Sequence, residues 1–305
     1  KRRYSECATN GTLGALLSDS FRLEYMIGNG DDLEHQVVLE SGYEEGSLPQ
    51  ELNIKIDGTP YRINDDGGER IKAMLPANII TYYAGDTERV KEICDTFIDE
   101  SVASVRKSGN QFTLIPLELP EGVPFIYSDL WHLPVALLSL LVLGGESKTL
   151  NKLNMREESA LCYIKLRKPE WAIAGKGSDE FWGNSSQLFN EFLKGLIEHA
   201  VKAEAKNDIV EIEVPVMNLI DFFDEVGVEH RGVFLFQIFD LLHNNGLLDK
   251  VDVKWNRKSD ELKAAPISTE YFSEGEKQVI MTSALVEFWD KKHCLFLFDE
   301  PDTFL

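Results

Sequence analysis

The chain has 305 residues, a hydrophobic fraction of 43% and a formal net charge of −21. Its size and apolar content exclude a disordered chain and predict two tightly joined lobes rather than two independent domains. The acidic excess excludes a nucleic-acid-binding surface over the whole chain, because duplex binding requires Lys and Arg against phosphates. A local basic patch and a basic partner subunit are both compatible with this charge.

Cysteine usage and hydropathy predict a cytoplasmic protein without a membrane segment. The four cysteines form no C-x-x-C pair, which is typical of a reducing compartment rather than of a disulfide framework or a zinc cluster. The longest apolar run, Leu133–Leu143, is much shorter than the ~20 residues that span a bilayer. We expect it to form a buried helix.

Short, partly alternating segments separated by turn formers predict an antiparallel β meander in the first third of the chain. The predicted strands are Arg22–Ile27, Gln36–Glu40, Asn53–Asp57 and Pro60–Ile63. A stronger strand is predicted at Asn78–Tyr83, followed by a helix at Glu88–Glu100.

The pattern becomes helical from Ser128 onward. Apolar residues of Leu188–Ile197 fall on one helical face, with Ser185 or Ser186 as the candidate N-cap. A second helix is predicted at Phe234–His243, where the following Asn-Asn-Gly supplies a left-handed cap. Two short strands are predicted between and after these helices: Ile209–Val214 and Leu248–Trp255.

The segment from Cys294 to Pro301 has four consecutive apolar residues followed by Asp299 and Glu300. This pattern predicts a central parallel strand that is buried on both faces and presents two acids at its carboxyl end. Asp299 is a candidate Mg²⁺ ligand, and Glu300 is a candidate base for the attacking water. The same pattern also fits a strand that ends in a solvated acidic turn.

A predicted amphipathic helix, Glu276–Asp290, precedes this strand, and Ser273 and Gly275 lie just before it. The first amides of a helix have no intrahelical acceptor, so this start is a candidate anion site. An ordinary capped helix start would have the same composition.

In order and spacing, these two segments resemble the ABC-type ATPases, in the branch of SMC-like, RecF-like and OLD-like proteins. Tyr271–Gln278 resembles the signature motif of that branch. Leu295–Glu300 resembles its Walker B strand with the catalytic glutamate, and Pro301–Leu305 resembles its D-loop.

The resemblance implies an α/β ABC ATPase head with an antiparallel β lobe and an elaborated helical lobe. We expect residues 1–127 to form the β lobe and the start of the core, 128–260 the helical lobe, and 261–305 the signature helix and Walker B strand. Sustained heptads are missing from the sequence, so no long coiled coil is expected.

The resemblance also implies ATP and Mg²⁺ as cofactors and a homodimer that holds ATP between its protomers. Asp299 would bind Mg²⁺, Glu300 would activate water, and Asp302 would communicate across the dimer interface. Ser273 and the amide of Gly275 in the signature motif would contact the γ-phosphate of the ATP that the other protomer holds. Glu276, Lys277 and Gln278 complete this motif.

A phosphate loop of the form G-x-x-x-x-G-K-[ST] is missing from the sequence. Three glycine-containing segments lack its pattern and are predicted to be turns: Gly28–Asp32, Gly144–Thr149 and Gly175–Ser178. We therefore expect that the full protein has further segments before and after the 305 residues of this sequence. The histidines show no metal-ligand spacing, and Trp131-His132 is predicted to serve packing rather than ligation.

Within the branch, the resemblance points to bacterial antiphage defence ATPases of the Septu-like, retron-associated and OLD-like kinds. We therefore expect the ATPase to control an effector nuclease subunit, through which the complex could also meet nucleic acid. One alternative is a DNA-repair ATPase of the RecF or RecN kind, which the charge of −21 does not favour. A second alternative is a scaffold that has lost ATP binding.

Overall fold

The computed structural model describes residues 21–28, 34–41, 52–62, 68–76, 78–83, 91, 125–153, 155, 160–255, 267–289 and 294–299. The chain divides into two compact units, Lys1–Ala77 and Asn78–Leu305. Mixed α/β structure is confirmed. The division after Ala77 does not coincide with either of the expected boundaries after residues 127 and 260.

The first unit contains the predicted antiparallel meander. Its elements are β1 (Phe21–Ile27), β2 (His35–Ser41), β3 (Leu52–Ile56), β4 (Thr59–Tyr61) and helix α1 (Glu69–Met74). Val37, Ile54 and Ile71 belong to its small apolar core. The alternating pattern therefore identified all four strands, with their ends displaced by one or two residues.

The second unit contains a parallel sheet in which the strand order is β12-β5-β6. These strands are β5 (Asn78–Tyr83), β6 (Phe125–Ser128) and β12 (Cys294–Asp299). The predicted parallel strand at the end of the chain is thus confirmed, and β5 has its predicted bounds.

The prediction that this last strand is central and buried on both faces is wrong for the described part of the chain. There, β12 pairs with β5 alone and lies at the edge of the sheet. Phe296 and Phe298 pack against the main core, whereas Leu297 is 44% exposed. Successive side chains of a strand point to opposite faces, and the main core covers only the face to which the two phenylalanines belong.

A five-stranded antiparallel sheet with the order β11-β10-β7-β9-β8 forms the other layer of this unit. Its strands are β7 (Leu161–Arg167), β8 (Lys202–Lys206), β9 (Ile209–Pro215), β10 (Leu248–Trp255) and β11 (Ile267–Ser268). Cys162, Ile164 and Leu166 alternate with half-buried neighbours, so one face of the sheet lies on the core. The predicted strands β9 and β10 are confirmed, but β7 and β8 occupy a region that was predicted to be mainly helical.

Helices pack against the two sheets of this unit and against one another. They are α2 (Leu133–Leu141), α3 (Lys148–Leu153), α4 (Gln187–Glu198), α5 (Val216–Glu225), α6 (Arg231–Asn244) and α7 (Glu274–Trp289). The predicted buried helix is α2, which packs against α6, α7 and β10. Ser186 caps α4 through the amide of Phe189, and Gly246 follows α6 with φ of 73°, as predicted. Among the described residues, no helix combines the length and apolar character needed to cross a membrane.

Candidate functional site

The start of α7 is built by reciprocal hydrogen bonds between Ser273 and Glu276. The amide of Glu276 donates to Ser273 Oγ at 3.3 Å, while Glu276 Oε2 accepts from the amide and the hydroxyl of Ser273, each at 2.9 Å. This capping box begins the helix at Glu274, two residues before the predicted start. Gly275 therefore lies inside the first turn.

One of the two carboxylates in this turn is neutralised by a lysine, and the other bonds a neutral serine. Lys277 forms an ion pair with Glu274 on the same helix face, and Glu276 bonds Ser273. Ser273 is itself exposed, so its hydroxyl is accessible to a ligand that displaces Glu276. The first amides of a 16-residue helix favour such a ligand if it is an anion.

Gln278 differs from the other signature residues because its side chain is 2% exposed. It lies one turn after Glu274, on the side of α7 that faces the protein interior. Neither atom of its carboxamide has a hydrogen-bond partner within the described part of the chain. In this conformation, the Gln278 side chain is therefore shielded from a nucleotide on another protomer.

Tyr82, at the end of β5, lies beneath the start of α7. Burial, together with the negative charges of Glu274 and Asp129, raises the pKa of its phenol to about 12. The hydroxyl lacks a hydrogen-bond partner among the described residues. Helix α7 packs against β5, and the charge of Glu274 in its first turn acts on the Tyr82 phenol.

The predicted acidic end of β12 lies at the edge of the parallel sheet at which β5 also ends. Phe298 is in register with Tyr82, and Asp299 is in register with Tyr83. The rings of Tyr82 and Phe298 meet edge to face with centroids 6.5 Å apart. The backbone of Asp299 closes the strand, but its side chain lies outside the described residues, as do Glu300 and Asp302.

A carboxylate of the protein occupies the helix start in the glycine-containing segment at 144–149. Glu287 on α7 accepts hydrogen bonds from the amides of Lys148 and Thr149 at 2.9 and 3.1 Å, and from the Thr149 hydroxyl at 2.6 Å. Lys176, in the segment at 175–178, bonds Glu180. Turn and 3₁₀ structure occurs in both segments, at 144–146 and at 174–175, and Gly28–Asp32 lies partly outside the described residues.

No protein-family model, no curated protein and no solved structure matches this chain.

Sequence reasoning missed a second group of titratable residues at this edge. His132 was predicted to serve packing, and its ring does pack against Trp131 and Phe236. It also bonds the carboxylates of Asp129 and Asp240. The Asp-x-x-His spacing directly after β6 indicated the first of these contacts, but Asp240 is 108 residues away along the chain. No group of three potential metal ligands occurs within the described ranges.

Proposed function

We propose that this chain is an ATP-hydrolysing subunit of the ABC type, which dimerises around ATP. One observation carries the proposal: α7, which begins with the Ser273–Glu276 capping box, packs against β5, the strand that pairs with β12. The candidate signature helix and the strand that leads to Asp299 and Glu300 therefore belong to the same sheet region. Anion-binding helix starts and acids at the carboxyl ends of parallel strands are the usual parts of a nucleotide site.

The residues of this region fit an anionic ligand with a divalent cation. Ser273 would contact the γ-phosphate of the ATP bound by the second protomer, together with the amide of Gly275. Asp299 would hold Mg²⁺, and this ion would neutralise phosphate charge when bound. Glu300 would accept a proton from the attacking water, and Asp302 would lie at the dimer interface. Gln278 would lie on the buried side of this helix, away from the nucleotide.

The test is Glu300→Gln in the full protein. We expect this change to slow ATP hydrolysis by about 10²- to 10⁴-fold, which is the usual contribution of a positioned general base. Nucleotide binding should persist, because the amide keeps the size of the carboxylate, and an ATP-bound dimer should accumulate. The matched control is Glu229→Gln, since Glu229 is exposed and remote from this strand in sequence. Equal turnover in the two variants would remove Glu300 from catalysis.

We further propose that the output of the ATPase is a change in an effector subunit, a nuclease in antiphage defence. The charge of −21 and the lack of heptads support a protein partner rather than a DNA clamp. Recovery of a stoichiometric effector with the Glu300→Gln protein, purified from its native host, is the expected result. Recovery of the chain alone, with ATPase activity stimulated by DNA ends, would favour the repair function instead.

A further inference from the structure

A buried histidine joins the end of β6 to helix α6. His132 is 4% exposed and closes a short 3₁₀ turn, Leu130–His132, that follows β6. Its Nδ1 atom lies 3.0 Å from Asp129 Oδ1, and its Nε2 atom lies 3.1 Å from Asp240 Oδ1 on α6. Both ring nitrogens can donate to carboxylates only when the ring is an imidazolium.

The two carboxylates are themselves held in place. Asp129 Oδ1 accepts from the amide of Trp131 at 2.9 Å, and Asp240 Oδ1 accepts from Asn244 Nδ2 at the same distance. Burial alone would lower the pKa of His132, but its hydrogen bonds to Asp129 and Asp240 and their charges raise it to about 9. The ring is thus positively charged at neutral pH.

Other titratable groups face the bridge that Asp129, His132 and Asp240 form. His243 on α6 stacks on Trp131, with ring centroids 3.7 Å apart, and burial and the charge of His132 lower its pKa. Burial raises the pKa of Asp129, but its hydrogen bond to His132 and the charges of His132 and Lys91 hold it below its usual value. The charge of Lys91 also contributes to the lowered pKa of His243. The amide of Asp129 lies 3.1 Å from His132 Nδ1. A neutral ring could therefore accept from this amide, and its bond to the Asp129 carboxylate would be lost.

The bridge ends at the edge of the parallel sheet that carries the candidate site. Ser128 is in register with Tyr82, and Tyr82 is in register with Phe298. Asp129 and Asp299 follow directly, so their backbones lie two strand spacings apart, about 10 Å. Helix α6, at the other end of the bridge, packs against α2 and α7.

We propose that His132 is a positioning residue that ties the helical layer, through Asp240 on α6, to the edge of the parallel sheet at which β12 ends. This inference rests on the proposed function. Because α6 packs against α7, the bridge fixes the signature helix relative to the strand that precedes Glu300. Loss of the bridge leaves two partly buried carboxylates, Asp129 and Asp240, without their shared donor, and α6 shifts away from the sheet edge.

The experiment compares His132→Gln with the wild-type protein, and His243→Gln is the matched control on α6. Turnover of Mg²⁺-ATP is measured from about pH 7 to about pH 10, which spans the raised pKa of His132. We expect His132→Gln to lower kcat by up to about 100-fold at neutral pH with KM nearly unchanged. Wild-type kcat should fall as the imidazolium loses its proton, whereas kcat of the variant should not follow this titration.

Hydrogen exchange of the α6 amides, measured without nucleotide, separates this inference from the proposed function. Faster exchange in His132→Gln than in His243→Gln is expected even if the wild-type protein does not hydrolyse ATP. Asp240→Asn keeps an acceptor for His132 and replaces His132→Gln if that variant does not fold. If His132→Gln has the same α6 hydrogen exchange and the same pH profile of kcat as the wild-type protein, the proposal is overturned.

Discussion

The buried imidazolium of His132 predicts an alkaline loss of stability whose size follows from its surroundings. The pKa of His132 is about 9 in the folded protein, against an ordinary value of 6.5. A group whose pKa is raised on folding contributes its full stability below the unfolded value and loses it as pH rises through the folded value. At about 1.36 kcal/mol per pKa unit, the contribution is about 3 kcal/mol.

The measurement is the free energy of urea unfolding, followed by circular dichroism between about pH 7 and about pH 9, where the contribution should fall by about 2 to 3 kcal/mol. His132→Gln should be less stable than the wild type at neutral pH and should lack this fall. The measurement stops at about pH 9 because a second group begins to contribute there. Burial raises the pKa of the Cys162 thiol in the folded protein, so above this pH the thiol would ionise only after unfolding and would also lower the stability. Parallel curves for the wild type and the variant would refute a charged, doubly bonded His132.

Three further perturbations test other parts of the structure. Ser273→Arg should prevent ATP-dependent dimerisation while preserving the fold, because a cation opposes the helix dipole at the phosphate site. Size-exclusion chromatography with Mg²⁺-ATP measures the dimer, and Ser185→Arg, at an exposed position, is the control. A dimer that survives Ser273→Arg would reject the signature assignment. Glu287→Gln should lower the free energy of urea unfolding by about 1 to 2 kcal/mol, because a neutral amide caps the start of α3 less well than a carboxylate. Gly195→Ala should lower the free energy of urea unfolding by about 1 to 3 kcal/mol despite the better helix propensity of alanine, because the added methyl group would overlap the ring of Phe222. The double variant Gly195→Ala/Phe222→Leu should recover part of this loss.

Local patterns predicted those elements whose own residues carry the information. The ends of β5 and the cap of α4 at Ser186 were predictable from periodicity and capping chemistry. The start of α7 was placed two residues late, because Ser273 and Glu276 form a capping box that begins the helix directly after the serine. Strand β8 has no large apolar residue and is exposed throughout, so only its pairing with β9 makes it a strand.

Long-range placement was beyond the sequence. A run of four apolar residues predicts a buried strand but does not tell a central position from an edge, so the exposure of Leu297 was not foreseen. The sequence predicted the two segments of the candidate site, Tyr271–Gln278 and Leu295–Glu300, separately. Their common position on the parallel sheet depends on the pairing of β12 with β5, which no local pattern predicts. The contact of His132 with Asp240 joins residues that no local pattern relates.

Strand β8 has a consequence for how copies of this protein can associate. It forms the outer edge of the five-stranded sheet, and lysines stand at both of its ends, Lys202 and Lys206. If a second copy added its own β8 antiparallel to this edge, with Glu204 opposite Glu204, Lys202 of one chain would lie opposite Lys206 of the other. This repulsion opposes continuous sheets between molecules in that register. Within the described part of the chain, the lysines of this short edge strand therefore disfavour its pairing with a second copy of itself.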